Sequence, residues 1–256
     1  MRPGRQPHPD MQAYPDMRPH PDMRRGQRLG HDGPVSFDGF GPDVLAFYAQ
    51  LEDDNSREFW TSHRQVYDDQ VAAPLKELAA WLEPRFGAVK LFRPHRDVRF
   101  SKDKSPYKTE AGMAVSTMSM GLYAALNADG LFVAGGLWEA STDQARRLRA
   151  ATADDRTGPP LTRVVNELRA AGWNVDGARL QRVPKPWDET HPRADLLHLK
   201  TLTGSRLNDP GSWLYTVEAA ARLAEQWQSL GELSHWLDKH VGPPEHRRQT
   251  AAESAR

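Results

Sequence analysis

The sequence predicts an α+β fold: a single domain whose mainly antiparallel sheet is flanked by N-terminal and C-terminal helices. Three observations point there. Apolar residues recur at helical spacing between Pro42 and Phe86, and again between Asn208 and His240. The stretch between them alternates extended segments with glycine turns, of which Asn127-Ala128-Asp129-Gly130 is suited to closing a hairpin. A chain of 256 residues, 38% hydrophobic and without Cys, can bury a full core but must hold it by packing alone.

The domain is expected over 34–241, between tails at 1–33 and 242–256. In the first tail His8-Pro9-Asp10-Met11, Tyr14-Pro15-Asp16-Met17 and His20-Pro21-Asp22-Met23 bring proline back where a helix or central strand cannot accept it. The segment also lacks the apolar surface that would offset its ordering entropy, so a disordered extension is expected. Its His and Asp residues have no fixed geometry, and no metal is assigned to them. The absence of Cys excludes thiolate chemistry, and a formal net charge of zero requires any nucleic-acid contact to come from a local patch. No stretch approaches the roughly 18 apolar residues of a membrane span, and no apolar signal core follows Met1-Arg2-Pro3. The expectation is a cytoplasmic protein with no membrane partner.

Pro42-Asp43 reads as a first helical turn leading the stripe Val44, Phe47, Tyr48 and Leu51. Asn55-Ser56-Arg57-Glu58 has capping-box spacing, with Asn55 as N-cap of a second helix on which Trp60, His63, Arg64, Tyr67 and Val71 share a face. His63 and Arg64 are read as a packed ring and a covered stem. Pro74 is expected to break that helix and open a third, reaching Phe86 and ended by Gly87.

A strand is expected from Leu91 to Phe100, turning Phe92, Pro94, Arg96, Val98 and Phe100 to one face and Arg93, His95, Asp97 and Arg99 to the other. Pro106 has no donor, so Ser101 to Pro106 is read as a loop. Ala111 to Leu126 reads mainly as one strand bent at Gly112 and Gly121, returning antiparallel through Leu131–Ala134. Gly135-Gly136 are read as sheet curvature. Ser141-Thr142-Asp143-Gln144 repeats the capping-box layout and starts a helix carrying Arg146 and Arg149, and a further helix runs from Leu161 to Ala171 with its stop at Gly172. Arg182 to Asp188 reads as a rigid connector and Leu196 to Lys200 as a strand. Two closing helices, Asn208–Leu230 and Glu232–His240, offer Trp213, Val217, Leu223, Trp227, Leu233, Trp236 and Leu237 to the core.

Charge is densest between Leu91 and Glu110, where six Lys or Arg residues face three acids. Arginines on a strand with lysines on the next loop suit a phosphate or carboxylate, the fork giving bidentate contacts and the ammonium a movable point charge. The ligand-binding candidates are Arg96, Arg99, Ser101, Lys102, Lys104 and Lys108, with Lys185 and Lys200 as additions. In an enzymatic version Asp97 or Asp103 is the general base or a hard-metal ligand, and Tyr107 or His95 moves a proton. Tyr107 otherwise stacks on a ligand ring or packs. Short motif matches fail. His95-Arg96-Asp97 has Lys102 where a kinase loop needs Asn, and the serine of Ser101-Lys102-Asp103-Lys104 cannot start a helix against Pro106. There is no phosphate-binding glycine loop and no zinc-protease helix motif.

Asn55 through Tyr67, the block Arg96 through Lys108, Gly135-Gly136, and Arg182-Val183-Pro184-Lys185 with Lys200 together resemble the family called domain of unknown function 2461. The resemblance spans roughly Phe37 to His240. Glu58-Phe59-Trp60 departs from it by exchanging the order of two packing residues. What the resemblance implies is a widespread intracellular single-domain protein with no known activity, substrate or cofactor. Function therefore rests on the residues, which leave two classes open. One is a binding or catalytic site for a phosphate-bearing small molecule or nucleic acid. The other is an interaction module docking an acidic protein, with Arg96, Asp97 and Arg99 as a structural ion-pair network beside it. Cofactor and oligomeric state stay unassigned.

Overall fold

Alternating apolar positions need one cover, and the helical stripes supply it on one side of a sheet. The computed structural model describes residues 36–99 and 103–245. Six strands, β1 (Val89–Leu91), β2 (Glu110–Ser116), β3 (Gly121–Asn127), β4 (Gly130–Leu137), β5 (Asn174–Asp176) and β6 (Leu202–Asn208), pair antiparallel in the order β1-β2-β3-β4-β6-β5. Before them come α1 (Val44–Asp53), α2 (Arg57–Ser62), α3 (Arg64–Tyr67) and α4 (Ala73–Phe86). Between and after them come α5 (Thr142–Ala153), α6 (Gly158–Ala170), α7 (Ala194–Leu197), α8 (Glu218–Ser229) and α9 (Gly231–His240). The α+β expectation holds. No helix among the described residues is long and apolar enough to cross a membrane.

Register aligns Met113, Ala124 and Val133 across β2, β3 and β4. These join Leu51 of α1, Leu78 and Leu82 of α4, Leu223 and Trp227 of α8 and Leu237 of α9 in the main core. Trp227 also donates its indole N–H to the Tyr123 carbonyl at 3.2 Å, satisfying the one polar atom it buries. The other face gathers Tyr123, Ala125 and Ala134 with Phe92, Ala114, Phe132 and Trp138, and among the described residues no helical one joins that cluster.

Several local readings stand. The α1 stripe buries Val44, Phe47, Tyr48 and Leu51. Ser141 and Gln144 form a complete capping box on α5. At the end of α6, Trp173 N–H reaches the Leu168 carbonyl and Gly172 N–H the Arg169 carbonyl, both at 3.0 Å, with Gly172 at φ +84°. His63 stacks on Phe59 at 4.0 Å and Arg64 pairs with Asp68, as packing roles predict.

Others change. Ser56, not Asn55, caps α2, its hydroxyl accepting from Phe59 N–H at 3.0 Å. Pro74 does not end the second helix. A π-helical turn, Asp68–Ala72, carries α3 into α4, and the Gln70 carbonyl, which Pro74 has no N–H to meet, accepts from Gly41 N–H at 3.2 Å. Of the strand expected over Leu91–Phe100, only Leu91 falls in β1, and among the described residues beyond it a single bridge remains at His95. Ala111–Leu126 divides into β2 and β3 at a turn closed by Thr117 N–H to the Met120 carbonyl, 2.9 Å. Leu196–Lys200 is not a strand, because Ala194–Leu197 coils into α7. The strand is β6, whose Leu-Thr-Gly-Ser-Arg-Leu-Asn run lacks clean alternation because Gly204 makes room for Leu230. Asn208 ends β6, so the first closing helix begins only at Glu218, and Val217 is 61% exposed rather than core. The repeat at 8–23 lies outside the described residues.

Gly136 is held at φ +143°, and a Cβ there would stand 2.3 Å from the Leu202 carbonyl oxygen. Gly136→Ala is expected to destabilise the protein by more than about 1 kcal/mol in chemical denaturation. Gly231→Ala, with nothing within 4 Å of the added carbon, is the matched control and should be neutral or stabilising.

Candidate functional site

The cationic stretch leaves the sheet at β1 and returns at β2 as an excursion held by few backbone bonds. Phe92 N–H still reaches the Gly112 carbonyl at 3.0 Å. Beyond it Pro94 and Pro106 lack donors, so the arms meet only where their carbonyls accept: Lys108 N–H to Pro94 at 2.7 Å and Arg96 N–H to Pro106 at 2.9 Å. His95 and Tyr107 face each other in this single bridge.

Side chains from α2 and the turn before it anchor the return arm. Tyr107 is buried and its ring lies parallel to Trp60, 4.2 Å between centroids and 8° between planes. The Asn55 amide completes the hold as a strand would, donating to the Tyr107 carbonyl at 3.1 Å and accepting its N–H at 3.0 Å. His95 sits 5.2 Å from the Tyr107 ring and 6.0 Å from Trp60.

Beyond the anchor Arg96, Asp97, Arg99, Asp103 and Lys104 are exposed. Arg99 grips Asp97 through Nε at 2.9 Å and Nη2 at 2.6 Å, with its own side chain 76% exposed. Asp103 accepts from Ser105 Oγ at 2.7 Å and Ser105 N–H at 2.9 Å, and pairs with Arg96. Lys104 Nζ donates to the Val98 carbonyl at 2.9 Å. The Arg99 side-chain hydrogen bond, then its backbone N–H, lowers the Asp97 carboxyl from 3.8 to about 2. Ser105 hydroxyl and amide, then Arg96, lower Asp103 to about 2.

Residues 43–236 match the sequence profile of a family of conserved hypothetical proteins, DUF2461. The chain belongs to DUF2461. No curated protein and no solved structure matched it.

In this DUF2461 member Arg96, Asp97, Arg99, Asp103, Lys104, Tyr107 and Lys108 come together on one loop, while Ser101 and Lys102 lie outside the described residues. Lys185 and Lys200 do not join them. Both lie on the segment between β5 and β6, at the sheet edge opposite β1, where Lys200 N–H bonds the Ala178 carbonyl. Arg146 also turns elsewhere, toward Glu245 at 3.5 Å. Among the described residues Arg99 pairs with Asp97 and Arg96 with Asp103. Carboxylates held at about 2 are weak bases near neutral pH, and the Tyr107 ring packs against Trp60. Asn55 and Trp60 are the positioning residues that the sequence reading assigned elsewhere. No local signal marks Asn55, whose partner is 52 residues away.

Asn55→Ala removes both bonds to a buried backbone and should destabilise the protein by about 1–3 kcal/mol in denaturant titration. Asp97 and Asp103 carry the loop's own acid dependence. Each pKa is depressed, so their contribution is present above 3.8 and is lost as pH falls toward about 2. Amide resonances of Arg99 and Ser105, which bond Asp97 and Asp103, should shift across that window while the Tyr107 amide, bonded to Asn55, stays fixed. Arg99 and Ser105 signals that ignore the titration would contradict the two pairs.

Proposed function

We propose that the chain is a binding protein whose 92–109 loop receives a phosphate-bearing ligand. The observation that carries this is the Arg99 fork, oriented by Asp97 yet 76% exposed. Carboxylates in such exposed pairs hold guanidinium groups in place weakly, and a phosphate offers the same two acceptors with more charge. Arg96, paired to Asp103 through Nη1 alone, is the second guanidinium, and Lys104 and Lys108 add point charges. The anchor of Asn55, Trp60 and Tyr107 keeps both arms in register while the tip exchanges partners. An acidic protein surface is the second reading, favoured by the exposure of the Arg99 and Arg96 side chains, 76% and 38%.

Titration calorimetry with inorganic tripolyphosphate and with nucleotides tests the first reading. Arg99→Ala should weaken binding about ten- to a hundredfold at unchanged melting temperature, the range of charge-assisted hydrogen bonds. Full affinity in that variant defeats the proposal. A variant that melts early, with no ligand response in the parent protein, would make the pairs architecture only.

A further inference from the structure

The connector between β5 and β6 carries a histidine whose two ring nitrogens both meet acceptors. Arg179 and Leu199 form an isolated bridge that brings the ends of this connector together, and Leu180 N–H bonds the His198 carbonyl at 2.8 Å. From the C-terminal end of α7 the His198 ring reaches back across the gap. Nδ1 lies 3.0 Å from the Leu180 carbonyl oxygen, and Nε2 lies 3.0 Å from Glu189 Oε2. The second oxygen of that carboxylate accepts Val183 N–H at 3.0 Å. Val183 is buried, while Arg182, Lys185 and Glu189 are exposed.

A neutral imidazole has one N–H and one lone pair, so in either tautomer one ring nitrogen turns its lone pair on an acceptor. The imidazolium donates to both. His191, on the same connector, is built the other way: its Nδ1 accepts from Arg193 N–H at 3.1 Å, which a neutral ring satisfies.

We propose that His198 and Glu189 form a pH-sensitive catch on the 180–191 excursion, closed by the imidazolium and released when the ring loses its proton. The catch lies at the sheet edge opposite the anion loop and works without it. The Leu180 carbonyl, then Glu189, hold the His198 ring above its ordinary 6.5. Val183 N–H, then His198, hold the Glu189 carboxyl below its ordinary range, against the like charge of Asp188. Arg179 opposes the charge on His198, but it is bonded to Asp176 at 3.0 Å and to Asp195 at 3.1 Å, which offset it. Because the folded value is raised, the catch contributes fully below 6.5 and is lost as pH rises through that higher value. Release loosens the hold of Glu189 on Val183, and with it the placement of Arg182 and Lys185.

The test is NMR on the full chain between about pH 5 and 9, following the His198 ring nitrogens and the Val183 amide. His198 should titrate above 6.5, and the Val183 amide should shift with the same midpoint. Glu189→Gln keeps an acceptor for Val183 and offers the neutral ring an amide donor. Its His198 midpoint should therefore fall, and Val183 should lose its pH-dependent shift. A His198 midpoint at or below 6.5 in the unsubstituted protein, which needs no variant to fold, overturns the catch. So does a Val183 shift that follows His191 instead, or one that persists unchanged in Glu189→Gln.

Discussion

The apolar layer between the sheet and α1, α4, α8 and α9 constrains everything else in the molecule. Met113, Ala124 and Val133 align on one face because antiparallel register puts them opposite one another, and the helices close over them. That layer is one-sided. The second face holds a smaller apolar cluster of its own, joined by no helix among the described residues, and the loop between β1 and β2 leaves from the edge strand.

The loop shows how a charged excursion is made both fixed and adaptable. Its base uses uncharged contacts: a ring stack, an amide that copies a strand, and two bonds to proline carbonyls. Its tip uses exposed ion pairs, which order side chains without holding them strongly. The division follows from dielectric. Packing and amide bonds keep their strength when partly buried, whereas an exposed charge pair competes with water and salt. Membership of DUF2461, a family of conserved hypothetical proteins, names no activity, so a functional reading rests on this geometry.

Much of the fold was legible because it is locally encoded. The α1 stripe, the Ser141 capping box, the Gly172 stop and the Asn127–Gly130 hairpin each depend on residues within a few positions, and each was read correctly. The errors share a different cause. Pro74 was read as a breaker because its missing donor is visible locally, but the carbonyl it orphans finds Gly41, far away in sequence. Strand β6 was missed because Gly204 serves Leu230 rather than its own periodicity.

By itself the sequence determined the fold class, most helices and the position of the cationic stretch, since spacing and turn chemistry act over a turn or a pleat. Tertiary structure alone decided which of those charges share a site. It brought Asn55 and Trp60 to Tyr107, sent Lys185 and Lys200 to the opposite edge, and inserted β6 between β4 and β5. It also decided that helices cover one sheet face, leaving Phe92, Phe132 and Trp138 together on the other. The physical reason is that side-chain alternation assigns residues to faces, but only packing of distant elements decides which face is covered.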